Sequence, residues 1–368
     1  MLKKIHINRN NFFDYIRLYA SFQVLIYHGK EALNYTIPEV ISILFSYKGI
    51  PIFFALSGFL VTISWINSGF NLKKYLISRC LRIFPALWFS TLISFLILII
   101  FGKYKFAFSL KGILWLLSQA SFFTFWNPDE LRDFGTGVVN GSLWTISVEL
   151  QFYILVPLLI GIFIYLKKKY TGLISSLSII IIAALSVSIN QFIPPLLAGD
   201  GTAAREGSLL IKLLYVSFAP YLCTFIMGML LALIVGIVGQ KVSSIYFLFF
   251  GILILLIDSM PLINESISLW IYPIYTALIF IGIGLVSNPF PIKFDISYGL
   301  YLYHMLVANF ILNINQFYQF NISYIYFFLS IVLAFTSWYL IESPIMKLKK
   351  NILKNQELTK NLLPDFRR

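Results

Sequence analysis

Two cysteines and three histidines in 368 residues leave little material for disulfide or metal chemistry. Cys80 and Cys223 stand apart, in or beside apolar runs, and form neither a disulfide framework nor a metal-ligand spacing. Charge is scarce as well. Only 12% of the residues are Asp, Glu, Lys or Arg, about half the share of a soluble domain, so water would not solvate this surface. The sequence has no Walker-type glycine-rich loop, no metal-spaced His/Cys set and no GxSxG elbow. It also lacks internal repeats, low-complexity linkers and the period-2 alternation of a membrane β-barrel. Residues 1–11 are polar and basic, but no small-residue cleavage site follows the first apolar run, so no cleavable signal peptide is expected.

What the chain has is apolar length. Hydrophobic residues make up 59% of it and the mean hydropathy is +0.84. A membrane span needs about 20 predominantly apolar residues and must satisfy its own backbone hydrogen bonds. Continuous apolar runs therefore predict an all-α integral membrane protein, a bundle of about ten transmembrane helices. The expected spans are 13–31, 50–67, 82–101, 143–165, 172–190, 213–236, 243–259, 268–287, 296–315 and 322–342. The shorter, aromatic-rich stretch 112–126, with Trp115 and Trp126, reads as a re-entrant or interfacial element.

Basic residues orient this bundle. With ten spans and the N-terminus inside, 19 of the 28 lysines and arginines fall on the cytoplasmic side, and both termini are cytoplasmic. An eleventh span at 112–126 would put Lys167, Lys168 and Lys169 outside. The net charge of +13 is then a topology signal and an attraction to anionic lipid, and no nucleic-acid partner is expected. The expected organisation is a membrane domain over 1–344 and a basic cytoplasmic tail over 345–368, too short and too basic to fold alone. Two longer outer segments, 102–142 and 191–212, have the length of functional loops or plain connectors.

Ionisable residues inside spans are costly and mark functional candidates. The first helix concentrates them. Asp14 and Arg17 are three residues apart and share a face. His28 follows Arg17 by eleven residues, roughly 20° past three full turns and about 16–17 Å further along the axis. One polar stripe results, open to two readings: a structural ion pair with an interfacial histidine, or a reaction path. Glu149, in the segment Asn140 to Tyr153, is expected at a depth like that of His28, where a carboxylate would orient an imidazole and raise its basicity; a buried hydrogen-bonding acid is the other reading. Arg79 and Arg82, three apart at the mouth of the third span, are either phosphate-binding forks or topology arginines. His304 lies mid-span among tyrosines that include Tyr301, suited to packing or to substrate contact. Ser57 and Gly58 read as a close helix–helix contact.

In order along the chain stand Asp14-x-x-Arg17 with His28, Gly49 to Leu60, and Arg79-x-x-Arg82-Ile-x-Pro85. Ser142-Leu-Trp to Tyr153, Ser297 to His304 and Glu342-Ser-Pro344 follow. Together they resemble membrane-bound acyltransferase family three, the bacterial O-acylases of envelope sugars such as O-antigen and exopolysaccharide. The resemblance implies a bundle of about ten helices in the bacterial inner membrane. It implies transfer of an acyl group, usually acetyl, from cytoplasmic acyl-CoA to a hydroxyl of a lipid-linked or polymeric envelope glycan. Acyl-CoA is then a co-substrate, and no permanently bound cofactor or metal is expected. By the same resemblance His28 matches the catalytic histidine, with Glu149 beside it; Arg17, Arg79 and Arg82, with Asp14, match the donor-binding residues; His304 and Tyr301 would support the substrate. Some relatives carry an extracytoplasmic esterase-like domain, which here would be a separate polypeptide and so favours direct transfer. A polytopic transporter or flippase of a sugar or lipid-linked substrate is the competing reading, since it too places charges near the midplane.

Overall fold

Asparagine caps and prolines decide where the apolar runs turn into helices. The computed structural model describes residues 3–169, 209–315 and 322–362, with scattered residues between 177 and 188. The described residues are helical, with isolated bridges (Asn11 with Ser287, Gly135 with Val138) and no strands. The helices are α1 (Phe13–Leu33), α2 (Glu39–Leu44), α3 (Gly49–Asn67), α4 (Leu72–Ile100), α5 (Tyr104–Ala107), α6 (Leu110–Gln119) and α7 (Trp144–Lys169). After the undescribed stretch come α8 (Leu209–Tyr215), α9 (Leu222–Val238), α10 (Gln240–Asp258), α11 (Glu265–Gly284), α12 (Ser297–Asn315), α13 (Ile322–Ser337) and α14 (Ser343–Leu362).

Seven of the ten expected spans are helices long and apolar enough to cross a membrane. Most of the expected span 172–190 and of the loop 191–212 lies outside the described residues. The other two, α1 and α12, form helices of 21 and 19 residues that carry more polar side chains than a lipid-facing span. For α12 the reason is burial. Every residue from Leu300 to Asn309 is buried, so its polar groups face protein and need not be apolar.

Three boundaries differ from the sequence reading. Helix α4 starts ten residues early, because the Asn71 side chain accepts from the Lys74 amide at 2.9 Å and caps it. The run 213–236 is interrupted between α8 and α9, where Pro220 has no amide to donate. Gln151 of α7 satisfies the broken backbone there: it donates to the Val216 carbonyl at 2.9 Å and accepts from the Phe218 amide at 3.0 Å. After α13 a π-helical turn, Trp338–Glu342, leads directly into α14, so the basic segment from 345 is helical to Leu362. Helix α6, which overlaps the stretch 112–126, has ten residues, about 15 Å, half a bilayer core.

The chain divides into two compact units. The first contains residues 1–26, 37–70 and 143–293. Its centre is the α3–α9 contact, where backbones meet. A Cβ on Gly58 would sit 2.1 Å from the Phe225 carbonyl oxygen, and one on Gly228 would sit 2.1 Å from that of Ala55. Phe225 also stacks on Phe152 of α7 at 3.8 Å. The expected packing role of Ser57-Gly58 is thus met by a reciprocal pair of glycines.

The second unit contains residues 27–36, 71–142 and 294–368. Here the segment 102–142 is fastened to α12. The Asn309 side chain accepts from the Thr136 amide at 2.8 Å and donates to the carbonyls of Val138 and Val139, each at 2.8 Å. Two surface ion pairs, Lys103–Asp133 and Lys111–Glu130 (both 2.6 Å), decorate the same segment. Hydrogen bonds from these lysines hold both carboxyls below the usual carboxylate range.

Candidate active site

Each expected site residue falls on a helix or at its mouth. Arg17 donates to Asp14 at 2.7 Å within the first turns of α1, in the first unit. Glu149 lies in the same unit on α7. Its Oε1 accepts from Tyr153 at 2.6 Å, with Ser57 of α3 at 3.5 Å. The last turns of α1, with His28, belong to the second unit.

There His28 meets His304. Nδ1 of His28 is 2.8 Å from Nε2 of His304, and the rings lie nearly parallel at an interplanar angle of 7°. Two close approaches set this contact. A Cβ on Gly29 would come within 2.4 Å of the Tyr326 ring, so glycine lets the end of α1 lie against α13. His304 is fully buried on α12, and its Nδ1 lies 3.1 Å from the Leu300 carbonyl. His28 is only half-buried.

One turn before His304, the Tyr301 hydroxyl donates to the Ser142 carbonyl at 2.9 Å. Ser142 donates to Asn140 at 2.8 Å, and Asn140 donates to the Leu302 carbonyl at 2.9 Å. This network seals the end of the 102–142 segment onto α12 beside the histidine.

A second polar group gathers near the start of α12. Arg82 pairs with Asp295 at 2.5 Å. Asp295 also accepts from the Ser297 amide at 3.3 Å, as a residue capping the helix start does. Glu342, on the π turn, lies within electrostatic reach of Arg82 and Asp295, and Lys349 of α14 lies within reach of Arg79 and Arg82. Pro85 sits inside α4 one turn beyond Arg82 and removes an amide from the helix ladder. Three basic and two acidic side chains thus meet in one place. From Ser297 to His304 is seven residues of helix, about 10 Å along the axis. Asp295, which holds the basic cluster, and His304, which holds His28, are therefore set at the start and in the body of one helix of one unit.

A family profile described as an acyltransferase domain matches residues 10–342, from just before α1 to the end of the π turn. The chain belongs to the acyltransferase-3 family. It is 31% identical to Nodulation protein 10 of Rhizobium leguminosarum bv. viciae, covering 94% of this chain and 95% of that protein. It is 25% identical to the putative peptidoglycan O-acetyltransferase YrhL of Bacillus subtilis over 54% of this chain, and 26% identical to the peptidoglycan O-acetyltransferase OatA of Listeria monocytogenes over 42%. The matches span 31% and 25% of the length of those two proteins. No solved structure matches the chain. With seven helices of spanning length among the described residues, this family member is a multi-pass membrane acyltransferase.

Sequence reasoning passed over three residues of this region. Asp295 had a signal, an acid two residues before the serine that opens an apolar run. Lys349 was hidden among the topology lysines of the tail, and Glu342 stood only in a motif, because nothing local says which helix a long side chain will face.

Proposed function

We propose that this family member is an O-acyltransferase of the bacterial inner membrane that moves an acyl group, most simply acetyl, from cytoplasmic acyl-CoA to a hydroxyl of a lipid-linked or polymeric envelope glycan. The observation that carries the reading is that, in a family acyltransferase, the Arg79–Arg82–Lys349 cluster gathers around Asp295 at the start of the helix that holds His304, the partner of His28. The proposed topology keeps ten spans with both termini cytoplasmic, which puts α4's arginines at the cytoplasmic face and His28 in the outer half. Two relatives are named as peptidoglycan O-acetyltransferases, which supports acetyl as the group and an envelope glycan as the acceptor.

In this reading the donor's phosphates rest against Arg79, Arg82 and Lys349, whose planar forks and ammonium suit phosphate oxygens. His28 removes the proton from the acceptor hydroxyl, whose oxygen attacks the thioester carbonyl. As the carbon–sulfur bond breaks, the imidazolium returns that proton to the departing thiolate, and the base is regenerated.

The test uses purified protein in lipid vesicles with radiolabelled acetyl-CoA and a pool of envelope glycans. Label should reach a glycan with the wild-type protein and fall by at least about 10²-fold with His28→Ala. Full transfer by a folded His28→Ala protein would overturn the role of His28. Absence of thioester cleavage with several donors would turn the reading toward transport.

A further inference from the structure

The histidine pair has a direction, and backbone carbonyls set it. Nδ1 of His304 faces the carbonyl oxygen of Leu300 at 3.1 Å, with the Tyr301 carbonyl also in hydrogen-bonding position. A carbonyl has no proton to give, so Nδ1 of His304 carries one. A neutral imidazole has a single N–H, which leaves Nε2 of His304 as a lone-pair acceptor. That atom lies 2.8 Å from Nδ1 of His28. Two bare nitrogens facing at such a distance would repel, so Nδ1 of His28 donates. The second nitrogen of His28, Nε2, is then unprotonated and makes no hydrogen bond among the described residues.

We propose that His304 is a positioning residue that fixes His28 in the Nδ1–H tautomer and so makes Nε2 of His28 the atom that accepts the acceptor's proton. The inference rests on the acyl-transfer reading above for its chemistry, but the tautomer itself does not. The geometry does for His28 what a carboxylate does for the histidine of a hydrolase triad: it holds the ring and chooses which nitrogen is bare. The difference lies in charge. When the acceptor O–H bond breaks and the proton joins Nε2, the imidazolium of His28 is stabilised by a neutral ring. That ring can in turn take the Nδ1 proton onto its own Nε2, since its Nδ1–H remains bonded to the Leu300 carbonyl. The positive charge is shared over a half-buried and a buried ring without a counter-ion at Nδ1, and reversal of the same steps gives the proton to the leaving thiolate. Burial of His304 on α12 and the tie of its neighbour Tyr301 to Ser142 keep the second ring from turning.

The chain has only three histidines, His6, His28 and His304, so nitrogen-15 labelling of histidine and solid-state NMR in lipid resolve each ring nitrogen. The expected spectrum has His28 protonated at Nδ1 and bare at Nε2, with the same tautomer at His304. His304→Phe keeps a ring but removes the acceptor. His28 should then populate the other tautomer, and kcat should fall by about 10²-fold with little change in the KM for acetyl-CoA. His304→Gln places an amide oxygen near the former Nε2 and should restore the His28 tautomer and bring kcat back to within about tenfold of wild type. A wild-type spectrum with His28 protonated at Nε2 would overturn the proposal whatever the activity. A His304→Phe protein that keeps both the tautomer and kcat would do the same. The predicted tautomer in a wild-type protein that transfers no acyl group would sink the acyl-transfer reading, and the base role with it, while the His304–His28 orientation stands.

Discussion

Nη2 of Arg82 stands 2.5 Å from Oδ2 of Asp295, and the two side chains are 22% and 12% exposed. The pair ties α4 to the start of the most deeply buried stretch of helix in the second unit. A guanidinium left half-buried beside a neutral residue is poorly solvated, so removal of the acid costs more than the pair itself contributes. Asp295→Ala is expected to destabilise the protein by about 2–3 kcal/mol. In a double-mutant cycle with Arg82→Met the coupling should be about 1–3 kcal/mol. Denaturation in mixed micelles measures both. Additive losses would show that Arg82 gains nothing from Asp295.

Gly58 offers a test of the helix contact at the centre of the first unit. Its missing Cβ would meet a backbone oxygen at 2.1 Å, which no side-chain rotation relieves. Gly58→Ala should force α3 and α9 apart at a cost of about 1–3 kcal/mol. Gly161 lies inside α7 with nothing within 4 Å of its Cβ position. Gly161→Ala should be neutral or gain up to about 1 kcal/mol from helix propensity. The two melting temperatures, measured side by side, should move in opposite directions or by clearly different amounts.

Asn309 makes three hydrogen bonds to the backbone of residues 136–139, and Gly135 beside it has φ +52°. Asn309→Leu leaves an amide and two carbonyls without their partner, at about 1–3 kcal/mol for each that stays buried. The 102–142 segment should loosen first. Limited proteolysis should cut it at least about tenfold faster than in wild type. A cut elsewhere, at an unchanged rate within the segment, would mean that Asn309 does not hold it.

The class of the molecule and most of its helices are legible in the sequence alone, because a bilayer demands long apolar runs with internally satisfied backbones. The candidates on α1 are legible there too, since Asp14, Arg17 and His28 on one face of an apolar helix have few bland explanations. The sequence left α1 and α12 looking like the other spans, although α12 is buried at every residue from Leu300 to Asn309. Only tertiary structure decided who meets whom. A contact between residues 276 positions apart, His28 and His304, leaves no local signal, because the energy that fixes it lies in helix packing around Gly29 and Tyr326. The sequence favoured Glu149 as the neighbour of His28 on depth alone. In the structure Nδ1 of His28 is taken by His304, and the hydrogen bonds of Glu149 go to Tyr153 and Ser57. Depth fixes one coordinate of a residue in a membrane; the packing of helices fixes the other two.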